Sequence, residues 1–457
     1  MDDDKDPTGQ DKGRCPDLCW NDLAAIDTRQ VPLFLLEDAA PPMPTTPLST
    51  ERYTSVAFFD AEVQKMWPNV WQFAAREEEM LEPGAVVVYE NAGRSYLLVR
   101  QVDGSVRAFH NVCLHRGRKL RTANGQVEEL RCPYHAFTWH TDGSLKQIPC
   151  RWDFEHLQDA DMRLPEAQVG LWQGYIFIKE AAGGPSLEEY LAPLPEHFTR
   201  WNHAQRYTST WVAKVVPANW KATAEAFMEA FHVIATHPQI MPFTGDTGTK
   251  YNLYSEHVNL AITPFGITSP HMTEELGPQE VVDAFLRYNS RVIPEGTSIE
   301  VKDGQSARQA MAEFNRKRIS DMVGSNLDHA ADAELQDALT YNVFPNFSPW
   351  GGFAPSVVYR WRPWPDQEHT LMEVRYLTPV PEGKPLPPAV PMRMLGPDES
   401  WSSVLGVQGA IFDQDMGNLP HVQAGMKASK NQLLNLGRYQ ESRIRHFHQT
   451  LDKYLKP

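Results

Sequence analysis

Cysteine, long hydrophobic runs and positive charge are all scarce in this sequence of 457 residues. Five cysteines are too few for the disulfide framework of a secreted scaffold, so we expect a reducing, cytoplasmic location. No run of about 18 apolar residues occurs, which predicts no membrane span. The start MDDDKDPTGQ lacks the apolar segment of a secretory signal. Net charge is −15, from 43 basic and 58 acidic residues, which argues against a nucleic-acid-binding surface.

What is present is a globular composition, 42% hydrophobic and 22% charged, in a chain long enough for two or three domains. Residues 1–50 are rich in proline and predict an irregular arm, whose first residues resemble a tag remnant or a disordered acidic start. Residues 84–113 alternate β-branched and polar side chains between turns, which predicts a small antiparallel sheet. Residues 170–180 predict another strand of the same kind.

Helical periodicity appears further along the chain. One largely buried helix is predicted at 219–236, ended by Pro238. Residues 305–340 predict a polar helical region, and residues 430–455 predict a long terminal helix. Two strands are predicted at 355–364 and 369–380. The layout is α+β, with a small all-β domain at 65–182 inserted into a larger domain at 183–457, against which residues 51–64 pack.

Two short segments each pair one cysteine with one histidine. CLHRG contains Cys113 and His115, CPYH contains Cys132 and His135, and sixteen residues separate the pairs. A structural zinc site of this composition usually takes both cysteines from one segment and both histidines from the other. One thiolate and one imidazole from each segment suit a two-iron cluster better, with the thiolates on one iron and the imidazoles on the other. Zinc is the alternative.

A second pair of histidines follows in the predicted helix. His232 and His237 lie five residues apart, and Pro238 ends the helix there, so the chain can turn and bring both imidazoles to one metal ion. Two histidines and one carboxylate, with open coordination positions, form the facial triad of non-haem iron oxygenases. Two hydrogen-bonded core histidines are the alternative, and the nearby cluster motif favours the metal site.

These motifs resemble those of the Rieske non-haem iron oxygenases, the terminal (alpha) subunits of ring-hydroxylating systems. The resemblance runs from about residue 65 to 425 and includes NWKATAEAFMEAFHVIATH and NVFPNFSP. The family usually has Asn, Asp and Tyr where this chain has Ala226, Glu229 and Phe231, although some members also have the Glu. The resemblance implies a Rieske domain at 65–182 and a helix-grip catalytic domain, an antiparallel sheet flanked by helices, at 183–457.

The resemblance also implies two cofactors. A Rieske [2Fe–2S] cluster would be held by Cys113, His115, Cys132 and His135. A mononuclear Fe(II) would be held by His232, His237 and an aspartate from FDQDMGNLPHVQ, where the spacing to Asn418 favours Asp415 over the alternative, Asp413.

A role for Glu229 and an assembly are implied as well. Glu229 precedes His232 by three residues, so on a helix it would stand one turn away and could accept a hydrogen bond from that imidazole. It could also reach His135 of the next subunit in a head-to-tail homotrimer, in which the cluster of one subunit serves the iron of its neighbour. A separate small beta subunit is left open.

The residues near the second histidine pair predict an apolar substrate pocket, lined by Phe227, Met228, Phe231 and Ile234 and by Leu260, Ile262 and Phe265. The implied function is an oxygenase that hydroxylates a hydrophobic aromatic or alicyclic compound with O₂, as in aromatic hydrocarbon catabolism. Because the chain has no nicotinamide fingerprint, a ferredoxin and/or flavin reductase would supply the electrons from NAD(P)H. The alternatives are a Rieske monooxygenase or demethylase for an O-methyl or amine substrate, and an electron-transfer protein without oxygenase activity.

Overall fold

The computed structural model describes residues 18–41, 43–288, 293–294 and 296–456 and divides into two compact units. The larger unit comprises the described residues of Met1–Asp60, Leu191–Leu386 and Val390–Pro457, and the smaller unit comprises Ala61–Tyr190 and Pro387–Ala389. The smaller unit is therefore inserted into the larger one in sequence, as predicted from the sequence. Among the described helices, none combines the length and the hydropathy that crossing a membrane requires.

The predicted arm is more ordered than its composition indicates. Its described part holds three short elements, α1 Trp20–Ala25, α2 Leu33–Leu36 and β1 Leu48–Ser49, and it is followed by α3 Glu51–Thr54 and α4 Val56–Ala61. The Trp20 indole is fully buried and donates to Asp337 at 2.9 Å, which ties the arm to the larger unit. Tyr53 packs with Ala222 and Met426. The expectation for the first residues, 1–17, lies outside the described residues.

The smaller unit is built from strands. Its ten strands are β2 Gln72–Arg76, β3 Ala85–Asn91, β4 Arg94–Arg100, β5 Val106–His110, β6 Gly125–Gln126, β7 Leu130–Arg131, β8 Thr138–Trp139, β9 Leu145–Gln147, β10 Glu166–Trp172 and β11 Tyr175–Lys179. A seven-stranded sheet has the order β2-β11-β10-β5-β4-β3-β6, and β7-β8-β9 form a second sheet. The segment predicted as one strand at 170–180 is a hairpin, because Gln173 and Gly174 both adopt positive φ and reverse the chain.

Short helical turns complete this unit. A π-helical turn spans Glu62–Met66, and 3-10 turns span Trp67–Asn69, Glu77–Glu79, Arg151–Asp153 and Asp159–Met162. One of its hydrophobic clusters contains Cys113, Cys132, Phe137 and Trp139, so the predicted cluster loops lie directly on a packed core.

The larger unit contains the remaining strands: β12 Arg206–Val216, β13 Lys250–Leu253, β14 Val258–Thr263, β15 Ala338–Val343, β16 Ser348–Pro349, β17 Ser356–Pro363, β18 Thr370–Pro379, β19 Arg393–Met394 and β20 Leu433–Leu434. One sheet has the order β16-β17-β18-β12-β19, and a three-stranded sheet has the order β13-β14-β15. Except for β12 with β19, the pairs in these two sheets are antiparallel. The predicted antiparallel sheet is thus confirmed.

α5 Leu187–Leu191 lies almost entirely in the smaller unit. The larger unit contains the helices α6 Leu194–His197, α7 Trp220–Glu225, α8 Val233–Thr236, α9 Pro278–Tyr288, α10 Ala307–Val323, α11 Asp332–Gln336, α12 Ser402–Leu405, α13 Gly409–Ala428 and α14 Ser442–Leu455. Further 3-10 turns span His203–Gln205, Pro238–Ile240 and Gly406–Gln408. Two predicted helical regions are shorter than expected. In the region predicted at 305–340, Gly324, with φ of +70°, ends α10, and α11 and β15 follow. In the region predicted at 430–455, residues 433–434 form a strand paired with 48–49, and α14 begins only after it.

The predicted helix at 219–236 is wrong in one respect that shapes the site. It is two short helices, α7 and α8, separated by residues 226–232. The carboxylate of Glu229 accepts the backbone N–H of His232 at 3.0 Å, and the Tyr251 hydroxyl accepts that of Ala230 at 3.3 Å. These side-chain acceptors replace helical carbonyl groups, so the chain turns where the sequence pattern predicts a continuous helix.

Candidate metal centres

Two loops of the smaller unit carry the paired cysteines and histidines. Cys113 follows β5, and Cys132 follows β7. In each loop the cysteine carbonyl accepts a hydrogen bond from the N–H four residues later, that of Gly117 at 2.9 Å and that of Ala136 at 3.0 Å. The residue that donates this N–H, Gly117 or Ala136, has left-handed backbone in both loops, with φ of +73° and +58°. The two loops therefore repeat one turn, and each turn supplies one sulfur and one imidazole.

The four side chains lie close together on the core. The Cys113 and Cys132 thiols are buried, and burial together with the neighbouring Cys132 thiol raises the pKa of Cys113. The rings of His115 and His135 are 4.7 Å apart between centroids, and Phe137 stacks on His115 at 4.6 Å. The structure thus brings together all four residues that the sequence singled out.

One feature of the two histidines fits the predicted cluster. The Nδ1 atoms of His115 and His135 are both buried, and neither has a hydrogen-bond partner in the described part of the chain. Buried polar atoms are rarely left unpaired, so both atoms call for a ligand that the chain does not supply. Desolvation and the charge of Arg116 lower the pKa of His135, which favours the neutral ring that binds metal. The assignment of the four residues as cluster ligands stays a prediction.

In the larger unit, donor atoms of His232, His237 and Asp415 lie within 4.8 Å of one another. Asp415 Oδ1 is 3.0 Å from His237 Nε2 and 3.5 Å from His232 Nε2. The histidines stand at the two ends of α8, and Asp415 lies on the buried face of α13 with Phe412 and Leu419. Two imidazoles and one carboxylate on one side of a cavity fit a facial triad.

A different side chain orients each histidine ring. His232 Nδ1 is 2.5 Å from Glu229 Oε1, and His237 Nδ1 donates to Gln414 Oε1 at 2.9 Å. Gln414 also accepts from Gln239 Nε2 at 2.7 Å. Both Nε2 atoms are thereby turned toward Asp415. The Glu229–His232 contact that the sequence predicted is present, but through a turn rather than a helical face.

Negatively charged side chains surround His232. Burial alone would lower the pKa of His232, but the hydrogen bond and charge of Glu229 and the charge of Asp415 outweigh it and raise the pKa to about 9. Two carboxylates next to two imidazoles give this corner a negative field that suits a divalent cation.

Asp413 has a different partner. Its carboxylate accepts the backbone N–H groups of Trp401 and Ser402, at 2.7 and 3.1 Å, at the start of α12. The structure therefore brings Asp415, and not Asp413, to the two histidines. Because the two aspartates are two residues apart on α13, they project from different sides of the helix.

The histidines and Asp415 line a cavity of about 170 Å³. Its walls carry seven aromatic residues, which are Phe227, Phe243, Phe265, Tyr288, Trp350, Tyr359 and Phe412. The other lining residues are Ala226, Glu229, Ala230, Val233, Ile240, Thr244, Thr263, Ala338, Thr340, Gln408 and Ile411. The described lining contains no lysine or arginine.

The predicted pocket residues are only partly right. Phe227 and Phe265 line the cavity. Met228 is buried away from it, and Phe231 and Ile234 face solvent with 47% and 39% of their surface exposed. The physical reason is the break between α7 and α8, which rotates these residues away from the helical face on which they were placed. Leu260 and Ile262 are buried in β14 but do not line the cavity.

Several site residues could not be read from the sequence. Gln414 is next to Asp415 in the chain, but its role depends on His237, which is 177 residues away. Tyr359 lies on β17 and Trp350 directly follows β16, and no local pattern connects either of them to the histidines. The one indication for Gln414 in the sequence is its position inside the acidic segment FDQDMGNLPHVQ.

Comparisons with known proteins agree with these two sites. A family model described as ring hydroxylating alpha subunit (catalytic domain) matches residues 196–456, and one described as Rieske [2Fe-2S] domain matches residues 70–158. The glycine betaine monooxygenase oxygenase subunit of Pseudomonas aeruginosa is 30% identical over 193 residues, which is 41% of this chain and 44% of that protein. The chlorobenzene dioxygenase subunit alpha of a Cupriavidus strain is 29% identical over 191 residues, 40% of this chain and 42% of that one.

Solved structures share the fold. The quaternary ammonium Rieske monooxygenase CntA, in complex with L-carnitine, superposes with a TM-score of 0.62 at 17% identity, over 90% of this chain and 96% of that one. The chain spans less than half the length of the two curated relatives named above, so their similarity covers only part of each protein.

Proposed function

Because this chain belongs to the ring-hydroxylating alpha subunits, which join a Rieske [2Fe–2S] domain to a catalytic domain with mononuclear non-haem iron, we propose that it is a terminal oxygenase acting on a small amine. The observation that carries the proposal is the cavity, in which His232, His237 and Asp415 meet a wall of aromatic rings. From the sequence, a monooxygenase or demethylase for an O-methyl or amine substrate was the alternative prediction, and both the relatives and the cavity favour the amine.

The metals would occupy the two donor sets already described. Cys113, Cys132, His115 and His135 would hold the cluster, and His232, His237 and Asp415 would hold the iron, whose role when bound is to activate O₂ with electrons from the cluster. The protein keeps both imidazoles at the second site in one tautomer, since Glu229 and Gln414 each occupy an Nδ1 atom. Aromatic side chains line the space beside these three residues.

The lining of the cavity suits a cationic substrate. Its described residues include no lysine or arginine, and its two carboxylates, Glu229 and Asp415, would balance the charge of the iron. Seven aromatic residues line the cavity, and a ring that turns its face to an ammonium group would attract that group by about 0.5–2 kcal/mol. The named relatives include a glycine betaine monooxygenase subunit and a quaternary ammonium monooxygenase fold. We therefore place a trimethylammonium or similar alkylamine beside the metal residues.

The proposed reaction is hydroxylation of a carbon bonded to nitrogen. One substrate C–H bond, O₂, two electrons and two protons give the hydroxylated amine and one water. Collapse of that product breaks the C–N bond and releases an aldehyde, the amine and, for a quaternary ammonium substrate, one proton. The electrons come from NAD(P)H through a separate ferredoxin and/or flavin reductase.

We propose a head-to-tail homotrimer, with or without a small beta subunit, in which Glu229 also accepts the outward ring N–H of His135 from the neighbouring copy. The described contact that supports this is the Glu229–His232 pair. Within one copy the His135 Nε2 atom lies next to the Arg116 guanidinium, which only donates, so Arg116 would have to move aside for His135 to donate to Glu229. In this arrangement Glu229 is a positioning residue between the two centres.

Hydroxylation of an aromatic ring is the second candidate. The seven aromatic residues of the cavity would pack equally well against a flat hydrocarbon, and a chlorobenzene dioxygenase subunit is among the relatives. It ranks second because a glycine betaine monooxygenase subunit and a quaternary ammonium monooxygenase are both among the named similar proteins.

The test is turnover of a compound panel by the metal-loaded protein with a surrogate reductase under ¹⁸O₂. We expect trimethylammonium compounds to release labelled aldehyde that carries one ¹⁸O atom, read before it exchanges by trapping the aldehyde as its alcohol. Incorporation of two labelled oxygens into an aromatic ring would support the second candidate. Reduction of the cluster without oxygenation of any compound would contradict both.

A further inference from the structure

One residue of the cavity carries a side-chain amide. Apart from the metal-site residues, the described lining has five hydroxyl side chains, Thr244, Thr263, Thr340, Tyr288 and Tyr359, and a single amide, Gln408. Thr263 already has a partner, since its Oγ1 lies 3.0 Å from that of Thr249. Gln408 is the only one of these six that carries two N–H donors on one atom.

Tyr376 holds the Gln408 amide in one orientation. Tyr376, on β18, donates its hydroxyl to Gln408 Oε1 at 2.7 Å. With the amide oxygen occupied in this way, the NH₂ group faces away from Tyr376. Gln408 makes no other side-chain hydrogen bond within the described ranges of the chain, so both of its N–H donors are left without a partner among the described residues.

The backbone around Gln408 is fixed as well. Gly406 has φ of +59°, and a Cβ atom on Gly409 would lie 2.4 Å from the backbone nitrogen of Ser402. These two glycines let α12 turn back sharply onto α13, and Asp413 caps that return. Gln408 stands immediately before α13, and Asp415 lies seven residues along, about 10 Å at the helical rise. A small molecule can therefore reach from the amide to the metal residues.

Resting on the proposed function, we propose that Gln408 determines substrate specificity by donating a hydrogen bond to an uncharged acceptor. The preferred ligand is a compact molecule with an alkylammonium or apolar end near His232 and His237 and a carbonyl, ether or hydroxyl oxygen at Gln408. A carboxylate is disfavoured there, because the described lining offers no lysine or arginine to pair with it.

Isosteric probes test this preference directly. Acetonyltrimethylammonium and methallyltrimethylammonium differ only by C=O against C=CH₂, and glycine betaine places a carboxylate at the same position. Acetophenone and α-methylstyrene form the same pair on an aromatic skeleton. Binding of each probe to the metal-loaded protein is measured by calorimetry. We expect the ketone of a pair to bind about tenfold more tightly than the alkene, as one net hydrogen bond allows. Glycine betaine should bind no better than the alkene.

Three variants separate the amide from its surroundings. Gln408→Met keeps the length of the side chain and removes the donors, so it should abolish the ketone preference. Tyr376→Phe releases the amide and should reduce the preference, and adding it to Gln408→Met should change nothing further. Val407→Ala, on the same turn but outside the cavity lining, is the matched control and should keep the preference. Iron content and the cluster spectrum establish that each variant is folded and loaded.

Equal binding of ketone and alkene, a preference that survives Gln408→Met, tighter binding of glycine betaine, or no binding of any probe would each overturn the proposal. Turnover is measured separately on the same samples. A ketone preference without oxygenated product would reject the proposed function and leave the role of Gln408 intact. Product formation without a ketone preference would support the proposed function and reject the role of Gln408. A preference confined to the aromatic pair would support Gln408 and replace the amine by the second candidate.

Discussion

At the scale of single residues, the two histidines of the larger unit differ in the group that orients each of them. A carboxylate, Glu229, holds His232, and a neutral amide, Gln414, holds His237. Only the first pair adds a negative charge beside the metal residues. The asymmetry matters because a carboxylate can also accept a second N–H from outside the subunit, whereas the amide oxygen is already shared with Gln239.

For Glu229→Gln we expect iron and cluster to be retained, because Glu229 is not among the three residues whose donor atoms converge. We expect turnover to fall at least about tenfold, as for other partners that orient a metal ligand. Stopped-flow spectra should show a cluster that is reduced normally but is not reoxidised by O₂ with substrate present. Glu229→Asp, which is one methylene shorter, is the control that keeps the charge. Turnover of Glu229→Gln at the wild-type rate would show that Glu229 is only a buried structural acid.

The two aspartates of α13 should behave differently. Asp415→Ala should lose mononuclear iron and turnover and keep the cluster spectrum, because Asp415 is the carboxylate beside His237. Asp413→Ala should keep iron and lose about 1 kcal/mol of unfolding free energy, as expected when a cap of backbone N–H groups is removed. Iron analysis and thermal unfolding measure the two effects. Loss of iron from Asp413→Ala alone would reverse the assignment.

At the scale of elements, the return from α12 to α13 depends on a glycine. A Cβ atom at Gly409 would meet the backbone of Trp401 and Ser402 at 2.5 Å or less, and backbone cannot move aside cheaply. We expect Gly409→Ala to cost about 2 kcal/mol or more of unfolding free energy, in the range of overpacked sites. Gly417→Ala, on the same helix with open space around it, should stabilise by about 0.5–1 kcal/mol. Chemical denaturation of both variants checks the contrast.

Strands β17 and β18 hold a buried acid between arginines. Glu373 lies opposite Arg360 in the register, and Arg362 is also bonded to it at 3.3 Å. Burial alone would raise the pKa of Glu373, but the charges of Arg360 and Arg362 outweigh it and lower the pKa to about 2. The unfolded value is the higher one, so the stability from this group is complete above about pH 4.5 and is lost as pH falls toward 2.

Glu373→Gln tests that assignment. At pH 7 we expect it to lose about 3–5 kcal/mol of unfolding free energy, the cost of leaving buried arginines without their carboxylate. The difference from the wild type should shrink as pH falls from 4.5 toward 2, because the wild-type carboxylate is then protonated too. Unfolding free energies from urea titrations across this range provide the measurement. A difference that does not change with pH would show that packing, and not charge, is what Glu373 contributes.

At the scale of the whole molecule, the two metal sites belong to different compact units of the chain. In the proposed ring of three, each cluster serves the iron of a neighbouring copy. Mixed oligomers of Cys132→Ser, which lacks a cluster, and Asp415→Ala, which lacks iron, should then regain about a quarter of wild-type turnover, because that fraction of adjacent pairs in a random ring has both centres intact. Each variant alone should be inactive. A mixture as inactive as its components would place electron transfer within one chain.

Much of the site could be predicted because its chemistry is local in the sequence. The two Cys-His pairs lie in loops of a few residues whose turns are set by residues inside the same loop, such as Gly117 and Ala136. His232 and His237 are close in the chain and therefore close in space. The family resemblance extended this to the late aspartate. The helix predicted across 226–232 was wrong because its competing hydrogen-bond acceptor, Tyr251, comes from another element.

The sequence by itself indicated which side chains could serve as metal donors, how they pair, and the division into an inserted β unit and a larger α+β unit, since spacing and strand alternation express these directly. Only the tertiary structure brought Asp415, and not Asp413, to the two histidines, assigned Gln414 to His237, and lined the cavity with aromatic residues in place of Met228, Phe231 and Ile234. Each of these depends on which side of a helix faces a partner more than a hundred residues away, or on where a helix breaks. Such outcomes are set by long-range packing and side-chain hydrogen bonds, which no local pattern contains.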